Sequence, residues 1–80
     1  GAVRIGFKLE TGIKQKELVR RAVAQLEYAE MTAVIANRLE DITDESKPRA
    51  YLVDKSGADF TLPTMHDVCA AIESVVERGV

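Results

Sequence analysis

The sequence predicts an α/β fold: a partial Rossmann-like three-layer unit of order β-α-β-β-β-α, with a parallel βαβ followed by a β-hairpin and a C-terminal helix. Three observations predict it. Val3, Ile5, Phe7 and Leu9 alternate with Arg4, Gly6 and Lys8, the period of two of a strand. From Ile13 to about Glu30 the apolar residues Leu18, Val19, Ala22, Val23, Leu26 and Ala29 recur at spacings of three and four, one stripe of an amphipathic helix. Met31 to Ala36 then runs almost continuously apolar, as a strand does when both its faces are covered. Strand, helix and doubly buried strand in that order make a right-handed crossover.

The remaining elements follow along the chain. Thr11-Gly12 ends the first strand. Within the first helix, Glu17 stands four residues before Arg21, a spacing that supports an ion pair. Asn37 closes the second strand, and residues 38–49 read as an irregular stretch containing Glu40, Asp41, Asp44 and Glu45. Ala50–Val53 resumes extended structure. Asp54-Lys55-Ser56-Gly57 reads as a tight turn, and Phe60–Leu62 as the returning strand, stopped by Pro63. Thr64 and Asp67 form a capping box for a last helix, Thr64 to Arg78, with Gly79 at its C-terminal stop. Its apolar stripe is Met65, Val68, Cys69, Ile72, Val75 and Val76, which predicts a buried thiol at Cys69.

Composition narrows the function. The 80 residues are 46% hydrophobic with a net charge of -2, unlike a disordered tail, and they form one unit over 1–80. No apolar run approaches the length of a membrane span, and no signal-peptide pattern opens the chain. Eleven Lys and Arg against 13 Asp and Glu leave no basic excess for nucleic acid. A single cysteine excludes a disulfide framework and a cysteine-rich zinc site. The expectation is therefore a cytoplasmic protein with neither membrane nor nucleic-acid partners. A strand buried on both faces needs a layer on each side, and two helices with about four short strands barely supply it. Something outside these residues is expected to complete the sheet.

Few residues carry obvious chemistry. His66 is the only histidine and reads as a surface group, since no nucleophile motif accompanies it. The acidic residues of 38–49 lack the glycine and spacing of a calcium loop and read as solvated. Lys14, Lys16, Arg20 and Arg21 give the first helix a basic face. Gly6 and Gly12 fit no phosphate-binding loop. No catalytic residue and no metal ligand is assigned. In open α/β sheets, ligands bind beyond the carboxyl ends of parallel strands. Here those ends are Phe7 to Thr11 and Ala36 to Arg38, which makes the crevice between them the candidate site.

At these two strand ends the chain resembles a known family. Ile5-Gly6-Phe7-Lys8-Leu9-Glu10-Thr11 is similar to the GFKLET strand of phosphopantothenate–cysteine ligases, and Val34-Ile35-Ala36-Asn37 to that family's second, AN-ending strand. The strand at Arg49–Val53, the hairpin and the last helix follow the family's carboxyl-terminal order. The resemblance implies a Rossmann-like ligase of coenzyme A biosynthesis that joins 4′-phosphopantothenate to cysteine. CTP or ATP with Mg²⁺ activates the carboxylate as an acyl-nucleotide, and the cysteine amine displaces the nucleotide monophosphate. It implies nucleotide-binding roles for Phe7, Lys8, Glu10 and Asn37. The family's helix lysines align near Ala24, Gln25 or Ala29, and Arg21, about one turn earlier, is the substitute cation, with Arg20 beside it. The family's glycine-rich segment and catalytic asparagine lie upstream of the matching region. The chain is thus expected to be the carboxyl-terminal part of a ligase, inactive alone, partnered by a missing amino-terminal part and by a second copy in a homodimer. The alternative is a non-catalytic α/β interaction or dimerisation module.

Overall fold

The computed structural model describes residues 3–56 and 59–78. Its elements are β1 (Ile5–Glu10), α1 (Gln15–Tyr28), β2 (Ala33–Arg38), α2 (Leu39–Ile42), β3 (Ala50–Asp54), β4 (Asp59–Leu62) and α3 (Met65–Arg78). The strands form one mixed sheet in the order β1-β2-β3-β4. β1 and β2 are parallel, and the β2–β3 and β3–β4 pairs are antiparallel. The α/β class, the parallel βαβ, the hairpin strands and the closing helix are therefore present.

Pleating divides the core in two. Val34 and Ala36 of β2 join Tyr51 and Val53 of β3 under Leu18, Ala22 and Leu26 of α1. The alternate residues Ala33, Ile35, Ala50 and Leu52 join Leu62 under Val68 and Val75 of α3. Hence α1 covers one face and α3 the other, and every residue from Ala33 to Ala36 is buried. The continuous apolar run needs both helices for this reason.

Local chemistry shifts several boundaries. The first helix ends at Tyr28 instead of Glu30, and β2 begins at Ala33 instead of Met31. Glu30 takes a left-handed φ of 54°, and the Met31 amide donates back to the Leu26 carbonyl at 2.9 Å. This is a Schellman-type stop, which consumes the residues assigned to the strand's start. Within the stretch read as irregular, β2 continues to Arg38 and α2 follows. The capping box of the last helix forms: the Thr64 amide donates to Asp67 Oδ2 at 3.0 Å, and the Asp67 amide donates to Thr64 Oγ1 at 3.2 Å. The turn at Gly57 and the stop at Gly79 lie outside the described residues.

Two expectations about burial are corrected. Cys69 is exposed, as are Met65 and Val76, so only part of the last helix's stripe is used. These three positions share a helical flank, and four strands with one helix on that face leave the flank uncovered. Phe7 and Leu9 alternate as expected but remain 66% and 57% exposed. Gly6, on the opposite side of β1, is buried. A Cβ at Gly6 would lie 2.9 Å from Gln25 Nε2 and 3.3 Å from Met31 Cε, so glycine lets the end of α1 settle onto the strand.

Glu30 holds a conformation that costs an L-residue free energy and glycine almost none. Glu30→Gly is expected to stabilise the chain by about 1 kcal/mol in urea unfolding, read as a higher midpoint at constant slope.

Candidate functional site

The parallel register brings the two strand ends level: Leu9 pairs with Asn37 and Glu10 with Arg38. The chain then turns at Thr11-Gly12, where Gly12 has a φ of 72°, a conformation that glycine adopts without strain. α2 crosses this turn and is tied to it. The Gly12 amide donates to Glu40 Oε2 at 3.1 Å, and Arg38 Nη1 donates to the Ile13 carbonyl at 3.1 Å. Arg38 Nε also donates to Asp41 Oδ2 at 2.8 Å.

Asp41 is only 5% exposed, which corrects the reading of this acidic stretch as solvated. Its carboxylate is buried because the Arg38 guanidinium compensates it. The pairing in turn raises the Arg38 pKa. The signal available in the sequence was the spacing of three between opposite charges at 38 and 41.

The five candidate residues separate onto two faces of β1 and β2. Lys8, Glu10 and Arg21 meet on the α1 side: Lys8 Nζ is 3.1 Å from Glu10 Oε1, and Arg21 Nη1 is 3.2 Å from the same oxygen. Arg21 Nε also reaches Glu17 at 3.1 Å, and Arg20 binds Glu17 from the other side. The predicted pairing of Glu17 with Arg21 is therefore present. Phe7 and Asn37 lie on the opposite, α3 face, with Phe7 beside Ile35 and Asn37 beside Leu9. The sheet brings the five to one crevice mouth but divides their side chains between its two sides.

This division shapes the electrostatics. Three cations, Lys8, Arg20 and Arg21, are linked through two carboxylates, Glu10 and Glu17. Hydrogen bonds from Lys8 and then Arg21 lower the Glu10 pKa. Those from Arg20 and Arg21 lower Glu17 to about 2. The Arg20 and Arg21 part of the basic face is thus paired from within, and it orients side chains more than it attracts an anion. Glu40 is held below the usual carboxylate range, chiefly by its own backbone amide, with help from the Gly12 amide and Thr11. Among the positions aligned with the family's lysines, Gln25 alone reaches the strand: its Nε2 donates to the Phe7 carbonyl at 3.4 Å.

An open hollow of about 430 Å³ lies against the start of α1, lined by Ile13, Lys14, Lys16, Glu17 and Arg20. Among the described residues no group of three or more histidine, cysteine or acidic side chains is arranged to hold a metal ion. No helix among them is long and apolar enough to cross a membrane.

Removing Arg38 strands the Asp41 carboxylate. Arg38→Met is expected to destabilise the chain by about 3 kcal/mol, the lower end for breaking a buried pair, because Arg38 retains some solvent contact. Arg38→Met/Asp41→Leu should recover most of that loss in the same urea titration. Glu17 supplies a pH test. Its folded pKa lies below its unfolded value, so the unfolded chain binds the proton first and stability falls as pH drops. The loss spans pH 4.5 to about 2. A carbon-detected NMR titration should place the Glu17 midpoint near 2, and Arg20→Ala should raise it. No protein-family model, curated protein or solved structure matches the chain.

Proposed function

We propose that the chain is the carboxyl-terminal portion of a phosphopantothenate–cysteine ligase and supplies one wall of its nucleotide site. The observation that carries this reading is the register. The two segments that resemble the family, Phe7 to Thr11 and Ala36-Asn37, end side by side on adjacent parallel strands, where an α/β sheet receives its ligand. Phe7 offers an exposed ring to a base, and Asn37 lies two residues further along the same face, opposite Leu9. Lys8, Glu10 and Arg21 form the braced edge of the crevice on the other side.

In the reaction, the 4′-phosphopantothenate carboxylate attacks the α-phosphorus of CTP or ATP and expels pyrophosphate. The cysteine amine then attacks the acyl carbon, and the nucleotide monophosphate leaves. Mg²⁺ enters with the triphosphate as part of the co-substrate. This chain's contribution is to seat the base and ribose and to fix the strand ends. The activating groups belong to the amino-terminal part, and a cytoplasmic location accompanies this reading.

A second reading, an α/β interaction module, is favoured by one observation. β1 is an edge strand with two large apolar side chains exposed beside it.

Titration of the chain with CTP and with ATP, followed by amide NMR, tests the first reading. Shifts should concentrate at Phe7 to Thr11 and around Asn37, and Asn37→Ala should weaken them about tenfold, the loss of one good hydrogen bond. Shifts scattered over the surface, or undiminished in Asn37→Ala, would count against it. The chain by itself is expected to form no amide between 4′-phosphopantothenate and cysteine.

A further inference from the structure

The turn that follows β1 already holds an anion of the chain's own. The Gly12 amide, at a φ of 72°, donates to Glu40 Oε2 at 3.1 Å, and the Thr11 side chain bonds the same carboxylate. Two donors thus converge on one carboxylate past the carboxyl end of β1, where an open α/β sheet receives its ligand. The carboxylate is held loosely. Thr11, Gly12 and Glu40 are all exposed, so water can replace either bond when Glu40 leaves. The donors are held firmly. Arg38 Nη1 takes the Ile13 carbonyl, and Arg38 is itself paired with the buried Asp41, so the turn keeps its shape without Glu40. Space and charge also suit an incoming anion. Among the described residues beyond its chain neighbours, no atom lies within 4 Å of where a Cβ on Gly12 would stand. Lys14 and Lys16 follow closely in the chain, are exposed and have no ion pair among the described residues.

We propose that the Thr11-Gly12 turn is a phosphate-binding corner and that Glu40 is its built-in competitor. A phosphate oxygen takes over the Gly12 amide and the Thr11 hydroxyl, and the Glu40 side chain swings out to water. Carboxylate and phosphate oxygens are both charged acceptors and draw the same kind of strong hydrogen bond from an N–H or O–H donor. The exchange therefore replaces one charged acceptor by another, and the corner's affinity is set by the extra charge that the phosphate brings to Lys14 and Lys16. A single carboxylate gains nothing over Glu40, whereas a chain of phosphates also meets the lysines. Glu40 thus keeps the corner satisfied while it is empty and selects for ligands of high charge. The inference rests on the ligase reading for the carrier of the phosphate, which is the nucleotide or 4′-phosphopantothenate, and not for the corner itself.

Pyrophosphate titrated into the full 80-residue chain at neutral pH, followed by amide and carboxyl NMR, tests the corner. The Gly12 amide should shift, and the Glu40 carboxyl carbon should move to the position of a free side chain. Glu40→Ala removes the competitor and should tighten pyrophosphate binding about tenfold, the effect of one charged hydrogen bond no longer having to be displaced. Glu45→Ala removes the same charge from an exposed residue past α2 and should change the affinity by less than about twofold, because salt screens it. Adding Thr11→Val to Glu40→Ala should undo most of the gain. CTP and ATP in one arm and 4′-phosphopantothenate in the other identify the carrier as the compound that moves Gly12 at the lower concentration. Equal gains in Glu40→Ala and Glu45→Ala would overturn the proposal. So would a Glu40 carboxyl that stays on Gly12 at saturating pyrophosphate, or a Gly12 amide unmoved up to about 10 mM, where binding falls below about 3 kcal/mol. The two readings fail separately. Nucleotide shifts at Phe7 and Asn37 with Glu40 still on Gly12 would sink the corner and leave the ligase reading. Release of Glu40 by pyrophosphate, with no nucleotide shifts at Phe7 and Asn37, would do the reverse.

Discussion

The structure depends on burying β2 on both faces. Four consecutive residues, Ala33 to Ala36, are removed from water, two toward each side of the sheet. A single helix satisfies only one of those directions, so a second layer is obligatory. α1 supplies the first through Leu18, Ala22 and Leu26, and α3 the second through Val68 and Val75. Antiparallel β3 repeats the pattern, with Tyr51 and Val53 on one side and Ala50 and Leu52 on the other. Because these central strands claim both helices, the two edge strands are covered less, and Phe7 and Leu9 of β1 and Phe60 of β4 remain exposed.

The same arrangement explains where polar chemistry collects. Past the carboxyl ends of β1 and β2, backbone groups have no further strand to pair with. The Gly12 amide and Ile13 carbonyl are instead taken by side chains of the segment that follows β2, namely Glu40 and Arg38. Arg38 is itself held in this strap by its pair with the buried Asp41. The crevice mouth is therefore stiffened from both sides: by the strap at its top and by the Lys8–Glu10–Arg21 bracing on the α1 face. The base-binding role proposed above would benefit from such preorganisation, since fewer groups must be ordered when a ligand arrives.

Periodicity revealed most of the fold. The apolar stripe of α1 and the doubly buried run of β2 are signals that tertiary packing reinforces. Element ends were less legible, because they depend on single backbone conformations. The left-handed turn at Glu30, a residue with no preference for it, displaced the start of β2. Burial of individual side chains was legible only where a partner layer exists. Cys69 and Leu9 obey the pattern of a core face yet lack the neighbouring element that would cover them. At the candidate site, the alternation of the sequence put the nominated residues at the ends of β1 and β2 but did not show the division of Phe7 and Asn37 from Lys8, Glu10 and Arg21. That division follows from pleating and is decided by the register. Asp41 reads from sequence as a solvated acid because the guanidinium that permits its burial stands three residues away and resembles an unrelated surface charge.

One further property follows from the way β1 and β2 are pinned. Their residues pair at a constant separation of 28 positions. Two side chains clasp the ladder at its ends across the same separation, Thr32 receiving the Arg4 amide and Glu40 receiving the Gly12 amide. The length of the crossover is thus metered at both ends. Deleting one residue from α1 would rotate everything beyond it by about 100°, carry the Leu18–Leu26 stripe off the sheet and break at least one clasp. The segment between α2 and β3 is bridged by a single side-chain bond, Arg49 Nη1 to the Ile42 carbonyl at 3.4 Å, so a few added residues there would cost loop entropy and at most that one bond. Natural variation in chain length, and any inserted tag or binding loop, should therefore be far better tolerated after Ile42 than between Gly12 and Thr32.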